Sequence, residues 1–244
     1  MVPQDVHNLV NNALKPGEPF RFRCLQCGSC CRNREDILLN PYDLHRISKE
    51  LKLSPAEVLE QYCVTYIGES SRFPCVLLRP KGDRKICPLL KKGRCSVHRS
   101  KPTVCALYPL GRGVMMEKDG EAGISEPSKI IYFRQHVGCG AKDEEHTVQE
   151  WLEEFDLSES EIWFLEWSRE ITKMSLLIQK VERHATEEAM NYLYQTIMIK
   201  IYLDYPDGIG TGPEFLKYFR DNTAMVVQFL NQVLSDPASP AMNA

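Results

Sequence analysis

The sequence predicts an α+β chain: a loop-rich cysteine-cluster module with a small antiparallel hairpin and short helices, followed by an all-helical C-terminal half. Three observations predict it. All ten cysteines fall between positions 24 and 139. Strand-like runs at 114–116 and 130–133 flank an Asp119-Gly120 turn signal. From Thr147 onward, helix caps and apolar residues at helical spacing recur. The expected division is a cysteine module at 20–140, a helical region at 147–234 packed on it, and a disordered tail rich in Pro, Ala and Ser at 235–244.

Composition narrows the function before any motif is read. The 244 residues carry 30 Lys+Arg against 33 Asp+Glu, a formal charge of −3, and are 43% hydrophobic. That balance excludes wholesale disorder, and it lacks the net basic footprint of a general nucleic-acid binder. Apolar runs of a few residues span no membrane. Residues 1–20 lack the basic start and apolar stretch of an export signal, so the expected compartment is the reducing cytoplasm. There thiols stay free or bind metal.

Four thiols crowd into eight residues as Cys24-x2-Cys27-x2-Cys30-Cys31, with Gly28 and Ser29 in the loop. A C-x2-C step lets two thiolates converge on one ion. Two steps in series are similar to the run that grips a four-iron cluster, although the proline of that run is absent after Cys31 and follows Cys87 instead. Zinc accepts thiolates at similar spacings. The density and the compartment both speak against disulfides.

Two short helices come next. Asn40 is a good N-cap with Pro41 behind it and Asp43 in the first turn; Leu44, Ile47 and Leu51 then form a stripe. Ser54-Pro55-Ala56-Glu57 is a capping box that opens a second helix, expected to reach about Ile67, with Cys63 on one face beside Leu59 and Ile67. The pair suggests a helix-turn-helix, but 42–66 holds three basic and four acidic residues, a poor charge for phosphate contact.

The second thiol group is Cys87, Cys95 and Cys105. Lys92-Gly93-Arg94 reads as a tight turn between the first two, and Lys101-Pro102 stops any helix before the third. Residues 84–116 carry eight basic side chains and no acidic one. Four thiolates around a divalent ion are doubly negative, so cations here either offset that charge or form a solvated basic loop. His98 and His136 stand three residues from Cys95 and Cys139, at ligand spacing, but the cysteines already suffice. The predicted hairpin at 113–137 then returns the chain to Cys139.

Phe22-x-Cys24-x2-Cys27-Gly28-x-Cys30-Cys31, Cys87-Pro88-x-Leu90, Gly93-x-Cys95-x2-His98 and Lys101-Pro102-x2-Cys105-x2-Tyr108-Pro109 together resemble the YkgJ-type cysteine-cluster family. That family is described as zinc- or iron-chelating, bears the CxxCxxCC signature and is related to the cysteine-rich part of flagellin lysine-N-methylases. The resemblance extends through Leu39-Asn40-Pro41-Tyr42-Asp43-Leu44 and Leu53-Ser54-Pro55, and covers about 20–152. Lys101 stands where family members usually carry Arg. The resemblance implies metal chelation by Cys24, Cys27, Cys30, Cys31, Cys87, Cys95, Cys105 and Cys139, in one or two sites, with Cys75 able to replace any one of them.

The remainder reads as helix. Thr147-x2-Glu150 and the 158–161 segment are start signals; a long helix runs to about Arg183, a new one is capped near Thr186, and a last one runs from Pro213 to about Leu234. Residues 141–170 hold two basic and eleven acidic side chains, read as solvated helix faces, or as a contact for the basic cysteine segment. Trp163, Phe164, Trp167, Tyr192, Tyr194 and Tyr202 read as core. The glycine run at 208–212 follows a helix rather than a strand, which makes it a connector and not a nucleotide loop.

No nucleophile elbow, P-loop or H-E-x-x-H helix is present, so no catalytic residue is assigned. Two classes of function follow. One is a metal-binding protein with an iron–sulfur (4Fe-4S) cluster or zinc, the cubane held by Cys24, Cys27, Cys30 and one distal thiol, acting as a redox or methyl-transfer enzyme or accessory. The other is a zinc-stabilised protein-interaction module without catalysis, whose helical half contacts a protein partner. Neither involves a membrane or nucleic acid.

Overall fold

A computed structural model describes residues 13–15, 17–118, 125–135, 138–155, 157 and 160–235. In chain order the first elements are β1 (Phe20–Arg23), β2 (Leu38–Leu39), α1 (Pro41–Leu51), α2 (Pro55–Tyr62), β3 (Cys63–Ile67) and β4 (Pro74–Leu78). Then come β5 (Leu90–Lys91), β6 (Arg94–Cys95), α3 (Thr103–Leu107), β7 (Leu110–Lys118), β8 (Ser125–Arg134) and β9 (Ala141–His146). Helices α4 (Val148–Glu154), α5 (Ser160–Glu182), α6 (Glu187–Met198) and α7 (Pro213–Ser235) complete the chain, with a π-helical turn at Ile199–Leu203. Short strands mixed with short helices therefore precede an all-helical C-terminal half, as the sequence predicts.

The chain divides into two compact units, Met1–Ile37 with Leu78–Leu165, and Leu38–Leu77 with Glu166–Ala244. The stretch 38–77, expected inside a contiguous 20–140 module, thus groups with the C-terminal helices. The physical reason is its burial: Leu44 and Ile47 of α1, Val58 of α2 and Phe73 are all fully buried, an apolar load that a thiol-rich loop unit cannot cover.

The first unit is built from two-stranded pieces. β1 pairs antiparallel with β9, and β7 with β8. The β7–β8 register, Gly113 opposite Ile131 and Val114 opposite Ile130, aligns the two runs seen in the sequence, although both strands are longer than predicted. The Asp119-Gly120 turn and His136 lie outside the described residues. Phe20, Phe22, Leu107, Leu110, Tyr132, Trp151 and Leu157 form the core. The Trp151 indole N–H donates to the carbonyls of Ala106 (3.1 Å) and Leu107 (3.2 Å), which ties α4 to α3. Thr147 caps α4 with the predicted box.

One correction concerns the acidic stretch after Cys139. Residues 141–146 are strand β9 rather than helix, and their carboxylates face the arginines of β1. Arg21 bonds Glu145 at 3.1 Å, and Arg23 bonds Asp143 at 3.0 Å and Glu144 at 3.2 Å. Cross-strand charge pairing of this kind lets a run of four charged residues occupy a strand.

The second unit carries the larger apolar core. Asn40 caps α1 through a bond from the Asp43 amide, and Ser54 caps α2 with a full capping box, both as predicted. The second helix ends at Tyr62, five residues short of expectation. β-branched Val64, Thr65 and Ile67 belong to β3, an outer strand of the β2-β4-β3 sheet, and Cys63 opens that strand fully buried instead of lying on a helix face. Tyr205 stacks on Phe215 at 4.6 Å, and Trp167 meets Phe73 edge-on at 5.8 Å.

Of the aromatic run, Trp163, Trp167 and Tyr202 are buried. Phe164 and Tyr194 are half-buried. Tyr192 overturns its expected core position, being 56% exposed on the outer face of α6. Thr186 caps α6, and 208–212 is the expected connector into α7. The tail beyond Ser235 lies outside the described residues. Among the described residues, no helix is long and apolar enough to cross a membrane.

Candidate metal centre

The eight cysteines singled out by the sequence all belong to the first unit, while Cys63 and Cys75 belong to the second. Local backbone chemistry explains how distant loops meet. The CxxCxxCC segment folds into a single 3-10 turn, Ser29–Cys31, entered through Gly28 with φ 70. A Cβ at Gly28 would lie 2.9 Å from the Gly93 carbonyl oxygen, so only glycine permits both the left-handed backbone and the close approach. Gly93 is at the tip of the β5–β6 hairpin, whose two central residues, Lys92 (φ 49) and Gly93 (φ 77), make the primed turn that such hairpins favour.

Backbone bonds then lock the loops together. The Cys87 amide donates to the Cys31 carbonyl at 2.8 Å, and the Asn33 amide to Arg84 at 3.1 Å. The Arg32 guanidinium donates to the Gly28 carbonyl at 2.7 Å. Cys105 is in the middle of α3, which starts behind Pro102 rather than being prevented by it. The Trp151 bonds anchor the end of that helix.

The thiols are electrostatically aware of one another. The hydrogen bond with Cys31 and burial push Cys30 far up, and the charge of Cys31 adds to this. Cys31 stands at about 12: its bond with Cys30 lowers it, but the bond with Cys87, burial, and the charges of Cys87 and Cys95 outweigh that. Cys87 is correspondingly lowered by accepting from Cys31. Burial raises Cys105, and Cys30, Cys31 and Cys95 raise it further. Burial also raises Cys95, with Cys30 and Cys24 contributing.

A second, more open group lies beside these. Cys27 is exposed, its Sγ is 3.2 Å from Ser29 Oγ, and that bond lowers its pKa. Cys139 is raised by burial, lowered by a bond with Tyr108, and raised by the charges of Cys27 and Cys30. Its Sγ is 3.4 Å from the Tyr108 hydroxyl. Cys24 is half-buried against the aromatic core.

Cys75, weighed as a substitute ligand, sits on β4 with its Sγ 3.4 Å from the Phe73 carbonyl; burial raises it, and Tyr66 and Ser71 are the side chains that bond it. Its neighbours are hydroxyls rather than thiols. The His98 ring packs edge-on to Phe155 at 6.3 Å, and burial lowers its pKa. Tyr108 and Ser29 bond Cys139 and Cys27 without having been singled out as candidates. Tyr108 follows Cys105 by three residues as the C-cap of α3, and Ser29 lies inside the CxxCxxCC run; those positions are the signal that could have found them.

The donor set fits a thiophilic cation in kind, because every cysteine is a free thiol and the charges of neighbouring thiols raise Cys30, Cys31, Cys95 and Cys105. In their positions here, no three Cys, His, Asp or Glu side chains among the described residues form an arrangement that could hold a metal ion. The convergence is one of loops and electrostatics, not of coordination geometry.

A search of the curated proteins and one of the solved structures gave no match. Residues 23–128 match the model of a family named CxxCxxCC and described as "Putative zinc- or iron-chelating domain". The matched segment contains seven of the eight thiols and stops before Cys139. Residues 23–128, which carry the Cys24-x2-Cys27-x2-Cys30-Cys31 run and its partner loops, are thus a segment similar to the CxxCxxCC family.

Proposed function

We propose that the thiol-rich unit is a metal-chelating domain holding zinc or an iron–sulfur cluster through thiolates drawn from Cys24, Cys27, Cys30, Cys31, Cys87, Cys95, Cys105 and Cys139. One observation carries the reading: free thiols from separate loops meet, Cys31 bonding both Cys30 and Cys87 while the Cys87 amide donates to the Cys31 carbonyl. Like charges brought together this way are unfavourable until a cation joins them. Cys30, Cys31, Cys87, Cys95 and Cys105 form the inner set, and Cys27 with Cys139 the outer one.

When bound, zinc supplies a redox-inert tie between loops, whereas an iron–sulfur cluster supplies an electron carrier. The chain's own groups do the positioning. Gly28 seats the first loop on the β5–β6 tip, Arg32 fixes the carbonyls around it, and the Tyr108 hydroxyl orients Cys139. The half-buried inner thiols support a tie or an electron carrier rather than a metal that is handed on.

Metal analysis and visible absorption after anaerobic purification test this directly. Iron with acid-labile sulfide and brown colour identifies the cluster and opens redox or methyl-transfer chemistry. Colourless protein with stoichiometric zinc identifies an interaction module in which the metal is structural. Protein that is metal-free, and that takes up neither metal on reconstitution, overturns the reading.

A further inference from the structure

Strand β3 is the outer strand of the β2-β4-β3 sheet, and among the described residues no strand pairs with its other edge. An outer strand presents a row of backbone N–H and C=O groups that a further strand can take up. Proteins commonly defend such an edge with a charged side chain or a proline. β3 has neither: its sequence is Cys63-Val64-Thr65-Tyr66-Ile67. Val64, Thr65 and Tyr66 are all exposed, Val64 at 36% and Tyr66 at 44%, and all three are residue types that strands favour. Five residues is an ordinary strand length, so the edge is long enough to pair.

A groove of about 430 Å³ adjoins the strand. Tyr66 and Ile67 line it from β3, Tyr194 and Met198 from the end of α6, and Ile199 from the π-helical turn. Among the described residues no charged side chain lines it. Free backbone beside an uncharged groove suits an extended segment that carries an apolar side chain. The sequence of β3 itself supplies one. With Thr65 opposite its own mate across a two-fold axis, antiparallel pairing sets Val64 of the partner subunit opposite Tyr66. Thr–Thr and aromatic–β-branched pairs are among the cross-strand combinations that stabilise a sheet, and no like charges meet in this register. Directly opposite side chains share a face, so Val64 of the partner subunit lies beside Tyr66 at the groove that Tyr66 lines.

We propose that a second copy of this chain pairs with the free edge of β3, antiparallel about Thr65, so that one sheet runs through a two-fold dimer. The pairing satisfies the exposed backbone groups of both edges at once, and each subunit's strand covers the groove of its mate. It explains why an outer strand is left without a charge to defend it. The proposal stands apart from the metal reading, because β3 and the groove belong wholly to the second unit.

The test uses the full chain. Sedimentation velocity over a wide range of concentration reads the monomer–dimer equilibrium, and hydrogen–deuterium exchange reads where the contact lies. The wild type is expected to dimerise as concentration rises, with amides at 63–67 exchanging more slowly in the dimer. Thr65→Lys sets two ammonium groups opposite each other; it is expected to weaken the dimer by about tenfold or more, with the melting temperature of the dilute monomer unchanged. Val64→Lys combined with Tyr66→Glu puts opposite charges across the axis and is expected to retain the dimer, whereas Val64→Lys with Tyr66→Lys is expected to abolish it. Equal loss in the two double variants refutes the register about Thr65, and the proposal with it. A chain that stays monomeric at every concentration overturns the proposal and leaves the edge to a strand of another protein. So does a dimer that leaves the amides at 63–67 unprotected, or one that Thr65→Lys does not disturb, because either uses another surface. Should the variants fail to fold, exchange in the wild type decides alone.

Discussion

In the helical unit, Met174 and Ile178 of α5, Ile197 of α6 and Phe215, Phe219 and Leu230 of α7 are all fully buried, each on a regular element several turns long. In the thiol-rich unit, buried residues gather under β1, α3 and α4, while the loops at 24–34 and 84–105 contribute little beyond Leu89 and Val97. The first arrangement stabilises itself by area removed from water. The second keeps its core under β1, α3 and α4, while the loops that carry most of its thiols have turns and two-residue strands instead. The contrast teaches that packing alone accounts for the one unit, while on the proposed function the other answers to metal as well.

The largest effect expected is from Cys31→Ser, which removes the thiol that links Cys30 to Cys87. If the unit holds zinc as proposed, the binding at stake is about 10–16 kcal/mol for a whole structural site in small modules. Bound metal should drop, and limited proteolysis should cut at 84–105 while the helical signal in circular dichroism persists. Full metal content in that variant would break the comparison at its root. Phe219→Ala attacks the other side. It should cost about 3–5 kcal/mol in thermal or urea unfolding, as large-to-small changes in a closed core do, and leave metal content as it was. Metal loss alongside it would show that the two units answer to one variable.

The smallest effect is pH-dependent. The His45 ring lies 5.0 Å from Phe215, and its Nε2 is 3.2 Å from the Gly210 carbonyl. Burial, then Lys49, lowers its pKa below the ordinary 6.5. The unfolded chain therefore binds a proton near pH 6.5 that the folded one does not, so stability is full above that pH and declines as pH falls toward the lower folded value. Urea midpoints of the helical signal should fall between pH 7.5 and 5.5 less steeply in His45→Gln than in the wild type; equal slopes would remove His45 from the account.

Legibility followed the range of the interaction. Asn40, Ser54, Thr147 and Thr186 announce helix starts because a cap needs only its next three residues, and each cap is present. Lys92-Gly93 announces its turn for the same reason. The ordered cysteine series pointed to one neighbourhood, and the eight thiols do share a unit. Pairings between distant segments stayed hidden. Nothing local says that Arg21 and Arg23 await Asp143 and Glu145, so an acidic strand read as helix surface. Nor does a stripe on α1 say which core it enters, so 38–77 was grouped with the thiols instead of the helices. The end of α2 was misjudged because a capping box fixes where a helix begins, while β-branched Val64 and Thr65 turn the chain to strand.

The pairing of β1 with β9 joins Arg23 to Asp143 across 120 residues. During translation, the sheet that closes the thiol-rich unit therefore waits on the order of ten seconds after its first strand has left the ribosome. For the first part of that interval, until Cys87 and Cys95 follow, Cys24, Cys27, Cys30 and Cys31 have left the ribosome without their later partners. The order of synthesis thus exposes four closely spaced free thiols before the strand pairing that closes their unit can form.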